Sequence, residues 1–497
     1  MDDGAASLLE VLRDRLGART PKDGCSPQGQ CGCCTVWVDG QPRVSCVTPV
    51  ARVAGRDVTT LAGLPDAAAW AAAFAEAGAA QCGFCTPGIL MRVAALPPTA
   101  RASAPAVHRA LAAHLCRCTG WQPIVEAVLS VGSGPIGPVR TDRSAEGARQ
   151  RARLEGRAAQ TVGPAAAAGA AGFADDTAPA DALVAIRGDD GGWHVGETVT
   201  EARRLAGRIQ GRRSTAPITW PLEVPAGDWL RTLRTTWVEP AYLEPDASWC
   251  APGGAPVSPL ANGGAFGAKR TSDVGAVARR LADEHGRAVR VLYTREDVVR
   301  HGPKRPPIAA GVRADGSGVV RVVHTPGIAA AIRAVAPALE VEEVDVAGPP
   351  TSVDLRAAGW AEAAILLSSL GDDDVVTSPD GATATATVDG DGVHVRVRCG
   401  RALDEVVLRS YCTGAAHMAL GWVRSEGLAV DDTGQPVDLT IRSFGILRAS
   451  DVPPLTVEIE PDDGPPVNGS DAVFAAVAAA AWRASGHVSR WPVHSGP

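Results

Sequence analysis

The chain has 497 residues, 48 of them basic and 55 acidic, and its formal net charge at pH 7 is -7. This length exceeds what one hydrophobic core normally serves, so we expect three or more domains. The mixed charges form no basic stripe for a phosphate backbone, which argues against a nucleic-acid partner. No uncharged apolar run reaches roughly 18 residues and the start lacks a signal-peptide pattern, so we expect a cytoplasmic protein without a membrane partner.

The first unit, residues 1–63, is predicted to be small and to mix α and β structure. Apolar residues between Ala5 and Leu16 recur at helical spacing and predict an amphipathic helix. Two β-rich pieces, Thr35 to Val38 and Arg43 to Val47, predict strands joined by the turn Asp39-Gly40.

Residues 64–131 are predicted to form a helical bundle. The helices expected there are Asp66 to Gly78, Pro87 to Ala95, Pro105 to Leu115 and Pro123 to Val131. We expect Thr86 to cap the second helix, because Pro87 then occupies its first position, where a missing N–H costs nothing.

Residues 132–170 are rich in Gly, Pro, Arg, Ala and Ser without periodicity, which is typical of a linker that crosses the surface. Residues 171–497 are predicted to be α+β, in two subdomains. The clearest helices there are Glu201 to Ile209 and Val274 to His285. The clearest strands are Ala288 to Tyr293, Thr383 to Val388 and Val393 to Arg398.

Nine of the 12 cysteines crowd into positions 25 to 118, which indicates metal binding and not disulfides. In the first set, three thiols lie on a Gly-rich loop and a fourth on the next hairpin, as a 2Fe-2S cluster needs. The ligands expected here are Cys25, Cys31, Cys34 and Cys46. Cys33 is a fifth thiol, and we leave it out because ligands at 31 and 33 would be cramped. The gap after Cys25 is one residue longer than in plant-type ferredoxins.

The second set combines a C-x2-C pair with a C-x-C pair about thirty residues later, each at the end of a predicted helix. Two helix hairpins can hold one cluster between them, and helix N-terminal N–H groups favour an anionic site. The ligands expected here are Cys82, Cys85, Cys116 and Cys118. Four-cysteine zinc sites also use C-x2-C pairs, so zinc stays open as an alternative.

The strings QCGFCTPG at 81–88 and LCRCTGW at 115–121 resemble the second-cluster signatures of the molybdenum hydroxylases, the xanthine dehydrogenase and aldehyde oxidoreductase family. The resemblance covers about residues 5 to 130. It implies an α+β multidomain protein with two 2Fe-2S clusters, the first in a β-grasp ferredoxin-like domain and the second in a four-helix domain. It further implies that Gln81 and Cys118 contact a molybdopterin.

The rest of the chain resembles the family's molybdopterin-binding subunit more weakly, in a shortened form. The string GGAFGAK at 263–269 resembles a cofactor loop, which implies that Gly264, Phe266 and Gly267 bind the cofactor. Within a second such segment, 349–359, Arg356 is implied to reach a cofactor or substrate oxygen. A lone arginine is also a common surface ion-pair partner, and that reading stays open.

Two features set this region apart from the family. A counterpart of its Gly-Gln-Gly loop is not found, and Asn468-Gly469-Ser470-Asp471 stands where the family carries its catalytic glutamate. Asp471 is the candidate general base by this correspondence. The side chain of Asp471 is one methylene shorter than that of glutamate, and its position in the motif is shifted. The fold would therefore have to reposition it before it could act as a base.

These observations favour an iron–sulfur subunit that passes electrons from a molybdopterin centre through two clusters to an external acceptor. Its expected partners are a larger molybdopterin-binding subunit, which docks on the carboxyl-terminal region, and an FAD-binding subunit or another acceptor, so that FAD enters only through a partner. The alternative is a self-contained molybdenum hydroxylase that holds molybdopterin itself and oxidises an aldehyde or N-heterocycle with water as the oxygen source.

Overall fold

A computed structural model describes residues 6–132, 143–207, 216–260, 264–371 and 374–493. Ala5, Ile209, Gly263 and residues 133–142 of the expected linker lie outside these ranges. The described chain mixes α-helices with small sheets, in agreement with the α+β class predicted from the sequence.

The first unit is built from a short helix and a three-stranded sheet. Helix α1 is Leu8–Glu10, and the chain continues as a π-helix, Val11–Arg15. The antiparallel sheet has the order β2-β1-β3, with β1 at Thr35–Val38, β2 at Gln41–Val44 and β3 at Val58–Thr59. Leu8 and Leu12 pack against Val36 and Val38, so the apolar face of the helical segment and the apolar face of β1 form one small core.

The second unit is helical, as predicted. Its helices are α2 Ala67–Glu76, α3 Thr86–Ala94, α4 Pro98–Arg101, α5 Ala104–Leu111 and α6 Gln122–Gly132. The predicted cap of α3 is wrong by one residue, because the helix begins at Thr86 and Cys85 is its cap. Helix α5 ends at Leu111, before the predicted Leu115, where the chain turns through a hydrogen bond from the His114 N–H to the Leu111 carbonyl; the Leu115 N–H then donates to the carbonyl of Cys31 on the other cysteine loop.

Part of the segment that we predicted to be a linker is helical. Helix α7 spans Ala145–Gly156, and α8 and α9 follow at Pro164–Ala167 and Ala174–Thr177. Arg151 and Glu155 lie on one face of α7 and are fully buried as an ion pair with an N–O distance of 3.1 Å. This face binds α7 to the carboxyl-terminal region.

The carboxyl-terminal region contains three four-stranded sheets in the described residues, ordered β5-β4-β8-β7, β11-β10-β9-β6 and β12-β13-β14-β15 in the numbering that follows. The strands are β4 Leu183–Arg187, β5 Trp193–Gly196, β6 Arg231–Arg234, β7 Ala247–Cys250, β8 Val289–Leu292, β9 Ile308–Val312, β10 Gly318–Val323, β11 Leu339–Val344, β12 Val376–Thr377, β13 Thr383–Val388, β14 Val393–Arg398 and β15 Leu455–Ile459. Each sheet combines antiparallel neighbours with one parallel pair.

Helices cover these sheets and join them to the cysteine loops. They are α10 Val199–Ala206, α11 Val274–His285, α12 Arg295–His301, α13 Ile328–Val335, α14 Trp360–Ser368, α15 Glu405–Arg424 and α16 Ser470–Ala484. The nine clustered cysteines share one core with carboxyl-terminal residues such as Trp237, Leu243 and Phe444. The two halves of the chain are therefore packed together. No helix among the described residues is both long and apolar enough to span a membrane.

Candidate metal centres

The first cysteine set lies on the loop before β1 and on the turn after β2. The side chain of Cys25 contacts those of Cys31 and Cys46, and Cys46 in turn contacts Cys34. Backbone N–H groups point at the sulfurs: Gln30 donates to Cys25 Sγ at 3.3 Å and Cys46 donates to Cys34 Sγ at 3.5 Å. Thiols with amide donors directed at them suit the anionic ligands of an iron–sulfur cluster.

The second set lies where α3 and α6 begin. Cys82 Sγ and Cys118 Sγ are 3.5 Å apart, and the side chains of Cys85 and Cys116 are in hydrogen-bonding contact. The four thiols therefore stand as two pairs, each joining one residue of the C-x2-C to one of the C-x-C. A cluster with two irons needs two thiolates on each iron, which this pairing provides.

A site for one metal ion is arranged differently. In the part of the chain that the structure describes, no three His, Cys, Asp or Glu side chains are grouped as ligands of a single ion. A zinc site needs four ligands converging on one point as a tetrahedron. The thiols of the second set stand as two pairs and not as one tetrahedral group.

Hydrogen bonds lower the pKa of one thiol in the second set. A hydrogen bond from Cys85 lowers the pKa of Cys116 to about 6, and although burial opposes this shift, Thr119 adds to it with Sγ and Oγ1 3.1 Å apart. Thiolates are the form that binds metal, so this environment favours the ligand state of Cys116.

The two sets are directly connected. The Leu115 N–H donates to the Cys31 carbonyl at 3.0 Å, one residue before Cys116. His114 packs against Gly32 between the sets, and burial lowers the pKa of its imidazole to about 4. A neutral ring and one backbone hydrogen bond thus lie between the two groups of thiols.

On its other side, the second set is covered by the chain itself. Gln81 Nε2 donates to the Cys118 carbonyl at 2.8 Å and to Ser410 Oγ at 3.0 Å. A side chain at Gly264 would place its Cβ 2.9 Å from Cys82 Cβ, and one at Gly414, on α15, would place it 1.7 Å from the Cys118 carbonyl oxygen. Only glycine permits these approaches, so main chain lies against Cys82 and Cys118.

The candidate residues of the GGAFGAK segment lie near Arg356. Phe266 has a positive φ of 52°, and Gly267 precedes a 3-10 helix, Ala268–Thr271. The Arg356 guanidinium lies over the Phe266 ring, 4.8 Å from its centroid. The cavity beside these two side chains measures about 30 Å³, which is room for a water molecule or two and too little for a substrate.

Arg356 and Asp471 form an ion pair. Arg356 Nε lies 3.3 Å from Asp471 Oδ1, and both side chains are only 4% exposed, so the surface reading of Arg356 is wrong. Arg157 donates to the other Asp471 oxygen. Two guanidinium groups thus contact both oxygens of this carboxylate within the fold. These two sequence-predicted residues thus meet in space, as a buried ion pair.

Sequence reasoning missed two buried charges nearby. Glu155 accepts the N–H groups of Gly469 and Ser470 at the start of α16, at 3.1 and 2.9 Å. Arg117, between two predicted ligands, makes a two-point contact with Glu426, each side chain 2% exposed. Arg117 stands between two cysteines that are predicted ligands, and this position in the sequence indicates that its charge lies in a buried loop. The partners of Arg117 and Glu155 are far away in sequence and carried no signal.

Comparison with known proteins agrees with this geometry. The 2Fe-2S binding domain family matches residues 60–129. The xanthine dehydrogenase iron-sulfur-binding subunit of Escherichia coli O157:H7 is 41% identical over 128 residues, which are 24% of this chain and 79% of that protein. The nicotine 6-hydroxylase small subunit of Paenarthrobacter nicotinovorans is 41% identical over 142 residues, which are 27% of this chain and 82% of that protein.

Among solved structures, the aldehyde oxidoreductase of Desulfovibrio desulfuricans superposes with a TM-score of 0.68, covering 97% of this chain and 95% of that one. Its identity of 15% makes this a likeness of fold. The fold and the thiol sets define an oxidoreductase with a 2Fe-2S binding domain, and its amino-terminal part has an iron–sulfur electron-transfer role. The chain belongs to the molybdenum hydroxylase family, that of xanthine dehydrogenase and aldehyde oxidoreductase.

The described residues do not fit the family's molybdopterin. Gln81 and Phe266, which the resemblance implies as contacts of one cofactor, line two separate cavities of about 280 and 30 Å³ that share no residue. Main chain at Gly264 occupies the space against Cys82 and Cys118, and both donors of the Gln81 amide are used within the chain. Cofactor sites are normally continuous and larger, about 300–1,000 Å³.

Proposed function

We propose that the chain is an electron-transferring subunit with two 2Fe-2S clusters, one held by each cysteine set. Electrons enter from the molybdopterin centre of a larger partner subunit, cross from the second set to the first, and leave to an external acceptor. The observation that carries the proposal is that eight buried thiols lie in two sets of four, and that the Leu115–Cys31 hydrogen bond joins the two sets.

The first cluster's ligands in this proposal are Cys25, Cys31, Cys34 and Cys46, and the second's are Cys82, Cys85, Cys116 and Cys118. A bound 2Fe-2S cluster supplies a one-electron carrier. The protein's part is to keep the thiols in pairs, to direct amide N–H groups at them and to exclude water. Cys82, the most exposed of the eight, is only 8% exposed.

The carboxyl-terminal region serves in this proposal as the docking scaffold. Its candidate catalytic positions are occupied by an internal contact, that of Asp471 with Arg356. Relatives named as a small subunit or as an iron-sulfur-binding subunit support partner subunits for this chain too. We propose a larger molybdopterin-binding partner and an FAD-binding subunit or other acceptor.

The domain boundaries proposed for this subunit are those expected from the sequence. Residues 1–63 would hold the first cluster and residues 64–131 the second. Residues 132–170 would connect them to the scaffold, residues 171–497. Within the connecting segment, the buried Arg151–Glu155 pair ties α7 to the scaffold.

One observation favours the self-contained enzyme as a second candidate. The cavity of about 280 Å³ beside Gln81, which Gln160 and Tyr411 also line, approaches the size of a small-molecule site. A molybdopterin confined to this cavity would not reach Phe266, Arg356 or Asp471. The two candidates therefore differ in whether the isolated chain contains molybdenum.

Metal analysis combined with EPR of the reduced protein tests the proposal. The chain should be purified alone and together with the products of neighbouring genes. We expect about four irons per chain, two rhombic signals and no molybdenum alone, with molybdenum arriving only in a larger co-purified subunit. Stoichiometric molybdenum in the isolated chain would establish the self-contained enzyme instead. Zinc without visible iron–sulfur absorption would overturn both.

A further inference from the structure

Cys33 is a fifth thiol inside the first cysteine set. Its side chain is fully buried and contacts that of Cys31. Both sulfurs also face Gly24, where an added Cβ would lie 3.0 Å from Cys33 Sγ and 3.1 Å from Cys31 Sγ. The loop therefore keeps these two sulfurs next to each other behind a residue without a side chain.

The other four thiols of this set are joined by contacts that do not involve Cys33. Cys25 contacts both Cys31 and Cys46, and Cys46 contacts Cys34, so these four are enough to supply two thiols for each of two irons. Cys33 also lies close enough to the second set to interact electrostatically with Cys85 and Cys116. Its place is thus between Cys31 and the neighbouring cluster site.

Iron binding makes Cys31 a thiolate and leaves Cys33 as a thiol beside it. A thiol is a weak hydrogen-bond donor, but its acceptor here would be a charged sulfur in a site without water. Hydrogen bonds to ligand sulfurs stabilise the more negative, reduced state of a cluster and so raise its reduction potential.

We propose that Cys33 is a positioning residue that donates its S–H to Cys31 Sγ and thereby raises the reduction potential of the first cluster. This inference rests on the proposed function, since it needs a cluster at each set. The transfer moves one electron from the reduced second cluster to the oxidised first cluster. The S–H bond of Cys33 stays intact, and the hydrogen bond favours the electron's arrival at the first set.

EPR-monitored redox titration of the full chain tests the role of Cys33. In Cys33→Ala we expect the first-cluster signal to persist but to appear at more negative potential. The equilibrium constant for electron transfer from the second to the first cluster should fall roughly fivefold, the effect of losing one hydrogen bond. In Cys33→Ser the hydroxyl can still donate, so the potential should return to the wild-type value or above.

Cys250→Ala is the matched control, because Cys250 is an equally buried thiol on β7 whose S–H donates to backbone carbonyls. Both potentials should be unchanged in this variant. An unshifted first-cluster potential in Cys33→Ala would overturn the proposal. So would loss of the first cluster in both Cys33 variants while Cys250→Ala keeps it, because Cys33 would then be a ligand. Absence of one cluster in the wild type would instead be failure of the proposed function.

Discussion

The two halves of this molecule use their buried reactive side chains in opposite ways. In residues 6–132 the buried thiols contact one another, in sets whose number of sulfurs suits a two-iron cluster. In the carboxyl-terminal region the buried candidates for chemistry are satisfied by opposite charges of the chain itself, as Asp471 is by Arg356. The thiols of residues 6–132 therefore remain able to act as ligands of a cofactor. In the carboxyl-terminal region, the carboxylate of Asp471 is instead engaged in an ion pair within the chain.

The largest effect that would sharpen this comparison is loss of a cluster. Cys116→Ser removes one ligand of the proposed second cluster, and we expect loss of about two of about four irons together with one EPR signal. Cys412→Ser alters a thiol that is equally buried, on α15, and should keep both signals. Retention of both signals in Cys116→Ser would assign that cluster to other ligands.

The next largest effect concerns the contact that joins the halves. Glu426→Gln leaves the Arg117 guanidinium buried without its counter-ion, and we expect the free energy of unfolding to fall by about 3–5 kcal/mol. Urea unfolding measures this change. The double variant Arg117→Met with Glu426→Met should recover much of the loss, because no buried charge remains. If Glu426→Gln lowered the free energy of unfolding less than the double variant does, the Arg117–Glu426 pair would not be what stabilises this interface.

Asp471→Asn separates a structural carboxylate from a catalytic one. We expect it to destabilise the fold by about 3 kcal/mol, because Arg356 loses its buried partner. Electron transfer from dithionite to an artificial acceptor should continue at the wild-type rate in the folded protein. If Asp471→Asn left stability unchanged and abolished oxidation of an aldehyde or N-heterocycle, the carboxyl-terminal region would be catalytic after all.

The pH dependence of stability tests the burial of His417, which lies on α15. Burial lowers the pKa of His417 to about 4, and Arg117 adds to this shift. Because the unfolded imidazole binds a proton near pH 6.5, His417 contributes stability that is present above pH 6.5 and is lost as the pH falls toward 4. We expect a loss of about 2 kcal/mol from this group between pH 6.5 and 5. In His417→Gln the urea-unfolding midpoint should depend less on pH in that range. An unchanged pH dependence would contradict a role for His417.

The smallest effect is expected at the surface. Arg396 and Glu458 pair across β14 and β15 at 3.0 Å, but their side chains are 64% and 59% exposed. Glu458→Gln should change the free energy of unfolding by less than about 1 kcal/mol, because water screens the pair. If Glu458→Gln lowered the free energy of unfolding as much as Asp471→Asn, solvent exposure would not distinguish the stabilising ion pairs of this protein from the weak ones.

Local pattern predicted much of the secondary structure. The strands Thr35–Val38, Thr383–Val388 and Val393–Arg398 and the helix Val274–His285 are confirmed at the predicted residues. The family resemblance is confirmed as well. Helix α5 was predicted too long because its apolar periodicity continues to Leu115, whereas the chain turns after Leu111 and the Leu115 N–H donates to Cys31.

The candidate site was predictable only where its residues are close in sequence. Cysteine spacing pointed to both thiol sets, since the ligands of one cluster come from short loops. The pairing of Arg356 with Asp471 joins residues more than a hundred positions apart, and no periodicity reports such a contact. Burial of Glu155 was missed for the same reason, because its partners Gly469 and Ser470 lie on a distant helix.

The burial of the cysteine loops has a consequence for how the protein matures. Gln28, in the first loop, bonds to Leu439 and Ile441, so a late segment of the chain lies over the early thiols. If these thiols hold a cluster, we expect iron and sulfide to reach them before the carboxyl-terminal region closes over them. A chain that completed its folding first would then lack its cluster.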